Sequence, residues 1–412
     1  MTITIHRGSH QIGGCVTEYE SDGWRLFVDY GEELPGGLQS GALEVEGLTK
    51  GDLSKSALLI THYHGDHIGR ITELPEDLPM YMGKVGREIQ QVYSDHLKST
   101  GEVHQKMIDR LEKINTFEPG KEFQFGPFKI MPITIDHSAF DAYAFKIMFG
   151  GVSVFHTGDF RTHGFRSGKF SKLMETFVGK VDYVVCEGTN VHRPDATSVT
   201  ERELQMQFEE KFREHKNNIL YLSSSNIDRL FSLYHAALRA GRPFYVDAYQ
   251  KRMMDVVTER DPLWGQSRFY QYDEKFKPQV LQYEDGQFRM NDKFRKFLDD
   301  KGCVLIARSN PRFDNFIERI PGEKQKYLSM WNGYVKESSE AYNPKLANSL
   351  GRNFLYIHTS GHCDMKSLRT MFELLSPRAI LPIHTDNPDG FAELFSDRWH
   401  IIRLQDGDSF CQ

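Results

Sequence analysis

The sequence predicts an α/β protein in which a strand-rich core is interrupted by a second α/β unit. Three observations carry that expectation. The chain has 412 residues, more than the roughly 100–200 of one ordinary domain. Its opening part is a series of short alternating or apolar runs separated by glycine turns, the pattern of successive strands. Between about Val191 and Leu350 the pattern becomes helix, strand, helix, strand, as a separate α/β unit requires.

In order, Thr2–His6, Arg25–Asp29 and Ala57–Thr61 read as strands. From Val85 to Lys113 apolar positions recur three and four apart (Ile89, Val92, Met107, Leu111), which predicts an amphipathic helix pair. Strands resume near Phe123 and include Phe128–Ile135, Val152–Phe155 and Tyr183–Cys186. A polar helix is expected over Thr200–Glu214, a strand over Asn218–Leu222, a helix over Asn226–Ala240 and a strand over Pro243–Tyr249. Phe354–His358 and Ala379–Ile383 then return to apolar strands, with a helix Met365–Leu375 between them.

Composition removes several function classes. Hydrophobic residues make up 39 % of the chain and aromatics 12 %, so neither wholesale disorder nor a fibrous repeat fits. The formal charge of −6 argues against a protein that coats polyanions by overall positive charge. Residues 191–350 nevertheless carry +3 and the remainder −9. Cys15, Cys186, Cys303, Cys363 and Cys411 are scattered and form no CxxC pair, which excludes a disulfide framework or a thiolate zinc site. No secretory leader opens the chain and no run approaches a membrane span, so a soluble cytoplasmic protein without membrane attachment is expected.

The densest chemical signal is Thr61-His-Tyr-His-Gly-Asp-His67, directly after a predicted strand. In extended chain, His62 and His64 fall on one side, and Gly65 permits a turn that returns Asp66 and His67 toward them. Imidazole and carboxylate suit a hydrolytic cation such as Zn²⁺ or Mn²⁺, and four such ligands together supply halves of two adjacent sites. Later strand ends add His137, Asp159 and His384. Asp29, in Phe27-Val-Asp-Tyr-Gly31, is either a carboxylate that orients a ligand or a turn cap. His156 and His163 are expected to be surface or packing residues.

In these five motifs, taken in order, the chain resembles the metallo-β-lactamase superfamily. The resemblance implies an αββα sandwich and two divalent metal ions, with Zn²⁺ expected first and Mn²⁺ next. It assigns His62, His64 and His137 to one metal, Asp66, His67 and His384 to the other, and Asp159 as the bridge.

Asp159 and His384 are 225 residues apart, so something domain-sized lies between them. That region contains Leu222-Ser-Ser-Ser-Asn-Ile-Asp-Arg229, a helix and Ala240-Gly-Arg242, which resembles the β-CASP nucleases of ribonuclease J type. Glu187 in Glu-Gly-Thr-Asn190 matches motif A, His362 in His358-Thr-Ser-Gly-His362 matches motif B and His384 matches motif C. The implied division is residues 1–190 and 351–412 for the metallo-β-lactamase domain and 191–350 for an inserted α/β β-CASP domain. A histidine at motif C is similar to the RNA-cleaving branch. Departures are Glu at motif A where Asp is usual, Ala307–Arg312 in place of a Gly-Ser-Gln-Gly stretch, and an end 28 residues after His384. They suggest a shorter branch without the usual C-terminal domain.

The resemblance therefore implies hydrolysis of RNA phosphodiester bonds, exonucleolytic from the 5′ end or endonucleolytic, by hydroxide activated between two metals. Asp66 belongs to the catalytic set, His362 is the expected proton donor to the leaving oxygen, and Glu187 its partner. Single-stranded RNA is the expected partner, with a homodimer the expected form if the chain self-associates. Ser225, Asn226, Arg229, His358, Thr359, Ser360 and Gly361 are expected to meet RNA phosphates. Arg239, Arg242, Lys251 and Arg252, interleaved with Phe244, Tyr245 and Tyr249, form a candidate stacking wall or, equally, a solvated face over core aromatics. The alternatives are a DNA nuclease of the same fold, a small-molecule metallo-hydrolase, which leaves the insertion without a purpose, and a catalytically silent scaffold, in which ligands should be missing.

Overall fold

The computed structural model describes residues 1–35, 42–195, 198–260 and 268–411. They divide into two compact units, Met1–Ser198 with Gly361–Gln412, and Val199–Ser360.

The first unit is a four-layer sandwich. A seven-stranded sheet runs in the order Ser409–Cys411, Thr2–Arg7, Val16–Ser21, Trp24–Val28, Ser56–Leu59, Met80–Met82, Asn115–Thr116. A six-stranded sheet runs Ala379–Ile383, Tyr183–Glu187, Val152–His156, Ala142–Phe149, Phe128–Ile135, Phe123–Phe125. Alternation along the strands gives each sheet two apolar faces. Ile3, Tyr19, Leu26 and Leu59 of the first sheet share one buried cluster with Phe128, Phe145, Val154 and Leu381 of the second, so the two sheets pack face to face. Leu58, Ile60 and Met80 turn the other way onto Met107 and Leu111. Those belong to the expected helix pair, which spans Lys84–Leu97 and Glu102–Lys113. On the far side Ile135, Val184 and Ile380 meet Leu368, Phe372 and Phe395 of the helices Met365–Leu375 and Pro388–Phe395.

The second unit is built on a parallel six-stranded sheet, in the order Gln279–Val280, Phe244–Val246, Cys303–Ala307, Asn217–Tyr221, Lys324–Leu328, Phe354–Tyr356. Its central strands are buried throughout, as sheets covered by helices on both faces require. Thr200 caps the helix Glu201–Glu214 with a full capping box, which supplies partners to otherwise orphaned N–H groups. Two elements depart from expectation. The strand expected over Pro243–Tyr249 stops at Val246, because Asp247 and Gln250 cap one another and start the helix Ala248–Arg260. The strand Phe354–Tyr356, expected in the resumed core, pairs with Lys324–Leu328 and completes the second unit's sheet. No helix among the described residues is long and apolar enough to cross a membrane.

Candidate metal centre

The strand Ser56–Leu59 runs parallel to Trp24–Val28 and delivers Thr61 and His62 beside Asp29. A one-turn helix, Gly65–Ile68, follows at once. The chain at Tyr30–Gly31 lies hard against this turn, with Tyr30 N–H donating to the His67 carbonyl at 2.9 Å. A Cβ on Gly31 would sit 1.8 Å from the Asp66 carbonyl oxygen, so glycine is required there by close approach.

Three imidazoles form one group. His62 Nε2 lies 3.1 Å and His137 Nε2 3.2 Å from His64 Nδ1. The opposite nitrogens are committed: His137 Nδ1 donates to the Gly361 carbonyl at 2.7 Å, and His62 Nδ1 lies 3.0 Å from Thr61 Oγ1. Those outer bonds turn Nε2 lone pairs of His62 and His137 inward. Burial, reinforced by neighbouring imidazoles, holds His62 and His137 well below the ordinary histidine range, and burial takes His64 to about 4. All three are therefore neutral, the form that ligates cations.

The second group is Asp66, His67, Asp159 and His384. Asp29 accepts from Thr61 N–H and Thr61 Oγ1, both at 2.8 Å, and from His67 Nδ1 at 2.7 Å. His67 Nε2 then faces Asp159 Oδ2 at 3.1 Å. His384 Nε2 lies 3.2 Å from Asp66 Oδ2 and 3.5 Å from Asp159 Oδ2. Burial opposes charge on both aspartates, but His67 and His384 more than offset it and both carboxyls stay well below the usual range. Burial also opposes charge on His67, where Asp159, Asp66 and Asp29 prevail and raise it. Asp159 Oδ1 is buried with no hydrogen-bond partner among the described residues. An ionised oxygen buried without a partner is costly unless a cation answers it. This orphan, seven convergent N and O donors and three neutral imidazoles together fit two divalent cations.

Glu187 and His362 extend the second group, and with Asp159 and His384 they form a further cluster of potential ligands. Glu187 ends the buried strand Tyr183–Glu187. Its Oε1 accepts Phe160 N–H at 2.9 Å and its Oε2 lies 2.9 Å from His362 Nδ1. Burial lowers the His362 pKa, but Glu187 and Asp159 reverse this and carry it up to about 9.

Sequence reasoning missed residues that hold these groups in place. Thr61 joins Asp29 to His62. Thr189 Oγ1 sits 2.9 Å from His384 Nδ1 and 3.2 Å from His362 Nδ1, although it stands in the same Glu-Gly-Thr-Asn turn that drew attention to Glu187. Asp136, the neighbour of His137, ties down two loops through Arg161 Nε at 2.8 Å and Arg166 N–H at 2.7 Å. His156 and His163 are both buried packing residues, and His156 Nδ1 is bonded to Tyr19 Oη at 2.9 Å.

The expected RNA contacts fare differently. Arg229 has 0 % of its side chain exposed and clasps Glu201 with two bonds of 3.0 and 2.8 Å, with Ser329 Oγ as a further acceptor. It is an ion pair buried within the second unit, not an exposed cation. Asn226 spends its side-chain oxygen on Arg229 N–H as a helix cap, while half-buried Ser225 is hydrogen-bonded to exposed Ser223. Thr359 is buried, and His358 and Ser360 are half-buried. Gly361 lies in the first unit, where its carbonyl holds His137. The stacking wall does not form: Phe244 and Tyr245 are buried, Arg242 donates to the Phe212 and Lys301 carbonyls, Arg239 pairs with Glu209, and Lys251 binds Asp255.

Comparison with known proteins agrees with this architecture. Residues 46–216 match the beta-lactamase superfamily domain. Ribonuclease J of Sinorhizobium meliloti is 23 % identical over 386 residues, covering 87 % of this chain and 63 % of that protein. Ribonuclease J of Helicobacter pylori is 22 % identical, covering 93 % and 55 %, and that of Mycolicibacterium smegmatis 26 %, covering 93 % and 68 %. The chain thus spans only about three-fifths of the first two relatives. A crystal structure of a protein of unknown function from Enterococcus faecalis V583 superposes with a TM-score of 0.76 at 19 % identity, over 99 % of both chains. In sequence the chain is similar to ribonuclease J over most of its length, and its first unit is a metallo-β-lactamase-type sandwich.

Proposed function

We propose that this protein is a cytoplasmic ribonuclease that hydrolyses phosphodiester bonds of single-stranded RNA at a centre for two cations, Zn²⁺ by preference. The observation that carries the reading is the convergence of His62, His64, His137, Asp66, His67, Asp159 and His384, with Asp159 Oδ1 buried and unpartnered. The similarity to ribonuclease J supports RNA as the polymer, and five free cysteines suit a reducing compartment. Divalent cations, when bound, supply Lewis acidity toward a phosphoryl oxygen and lower the pKa of water.

The chain's own contribution is to position donors and to manage a proton. Asp29 and Thr189 fix the ring orientations of His67 and His384. With Nδ1 held by Glu187, His362 carries a proton on Nε2 at neutral pH, because its pKa is raised to about 9. That proton passes to the leaving 3′-oxygen, and Glu187 stabilises the imidazolium before transfer. Glu187 thus acts through His362.

End-labelled RNA and matched DNA, bearing 5′-monophosphate, triphosphate or hydroxyl ends, test this before and after chelation. RNA cleavage that is lost with chelator and restored by Zn²⁺ or Mn²⁺ is expected. Cleavage of neither polymer would refute the nuclease, and preference for DNA would reassign the substrate.

A further inference from the structure

One hydroxyl at the metal centre loses its partner when the centre is filled. Three hydroxyls are bonded to the converging imidazoles: Thr61 to His62, Thr189 to His384 and His362, and Ser138 to His137. Thr61 and Thr189 meet Nδ1 atoms, on the ring side away from the Nε2 of His62 and His384 that face the other donors. Ser138 differs, because its Oγ lies 3.3 Å from the inward nitrogen, His137 Nε2. His137 Nδ1 spends its proton on the Gly361 carbonyl. Neutral His137 therefore has a bare lone pair at Nε2, and the Ser138 O–H donates to it. That is the only hydrogen bond of this hydroxyl among the described residues. A cation ligated by Nε2 takes the same lone pair, so the hydroxyl must turn to another acceptor.

Its surroundings select that acceptor. Residues 135–145 are buried except for Ser138, which is half-buried, so this stretch opens toward solvent at the hydroxyl-bearing residue. Gly361 adjoins it. A Cβ on Gly361 would lie 2.6 Å from Ser138 Oγ and 3.2 Å from His137 Cε1, so glycine there leaves the hydroxyl its place. The next residue is His362, whose ring centroid is 5.3 Å from that of His137. Ser138 thus stands beside both a ligand of the neutral group and the proton donor, where a phosphodiester must lie to be reached by the two. With His62, His64 and His137 presenting lone pairs to a cation, this half of the centre needs a donor for an anionic oxygen, and a hydrogen bond to a charged oxygen is a strong one. We propose that Ser138 Oγ donates to a non-bridging oxygen of the substrate phosphate, turning from His137 Nε2 once that nitrogen holds a cation. This role rests on the ribonuclease reading above and adds to it a residue that contacts the substrate.

The test titrates the full chain, loaded with Zn²⁺, with uridine 5′-monophosphate in a calorimeter. This nucleotide carries the 5′-phosphate that release of a 3′-oxygen leaves on the product. Ser138→Ala should keep its Zn²⁺ by elemental analysis and bind the nucleotide about tenfold more weakly, the scale of one hydrogen bond to a charged group. Uridine, which lacks the phosphate, should not distinguish the two proteins. In chelator the wild type and Ser138→Ala should also behave alike, because the hydroxyl then returns to His137. Equal nucleotide affinity of the two Zn²⁺-loaded proteins, or no binding by either, would overturn the role. So would loss of Zn²⁺ from Ser138→Ala, which would make the hydroxyl a support for His137 alone, or a deficit that persists in chelator. RNA cleavage by the wild type separates the two readings. Cleavage with equal nucleotide affinities rejects the role of Ser138 alone, and Ser138-dependent nucleotide binding without cleavage rejects the ribonuclease alone. Neither binding nor cleavage rejects both.

Discussion

The two halves of the metal centre solve the same problem with opposite electrostatics. His62, His64 and His137 form a buried, neutral half, in which outer hydrogen bonds to Thr61 and Gly361 aim lone pairs inward. Asp66, His67, Asp159 and His384 form a charged half, in which carboxylates and imidazoles stabilise one another and Asp29 and Thr189 set the ring tautomers. The neutral half is assembled by packing and needs little support. In the charged half unlike charges in low dielectric must be held at fixed positions, so it recruits more partners. The contrast predicts that damage spreads further from the charged half.

Asp159→Ala should have the largest effect. It removes the carboxylate proposed to bridge the two cations, so cleavage should fall to background and elemental analysis should find cations lost from both halves. Loss confined to one half would break the idea of a shared bridge. His362→Ala is next, with a fall in kcat of about 10²–10⁴-fold, the usual scale for a general acid, and unchanged metal content. A fall in metal content would make His362 a ligand, as its distance to Asp159 of 3.7 Å permits. The same group sets a pH limit. A general acid must be protonated, so kcat should hold below the pKa of about 9 and decline above it. Glu187→Gln removes the largest influence raising that pKa and should shift the decline to lower pH, as a pH–rate profile would show.

Asp29→Asn and Thr189→Val follow, each costing about 10–100-fold in metal affinity or activity, the range for residues that orient ligands. Competition with a coloured chelator should show weakening at the charged half, and Thr189→Ser should recover most of it. Equal loss from both halves would erase the proposed distinction. Tyr19→Phe should matter least, at about 0.5–1.5 kcal/mol of stability for one hydrogen bond to His156, read by urea denaturation.

Every proposed metal ligand was legible because each follows an apolar strand and strand ends present polar groups in a turn. The backbone conformation that aims two of the site's residues was not. Asp29 and His384 both adopt left-handed conformations, with φ of 62° and 49°, which no local pattern announces. Arg229 was misread for a related reason. Its motif looks like a phosphate contact, but its partner Glu201 lies on another helix 28 residues earlier, and only the assembled unit brings them together. The same non-local pairing moved Phe354–Tyr356 out of the core, since an apolar strand followed by a histidine turn reads alike beside either neighbour.

The central claim, two cations acting together, is tested most directly by titrating metal-stripped protein with Zn²⁺ while counting bound ions and measuring RNA cleavage on the same samples. The account predicts that cleavage follows occupancy to two ions per chain and that Asp159→Ala stays inactive throughout. Full activity at one ion per chain, or cleavage by stripped protein, would contradict it.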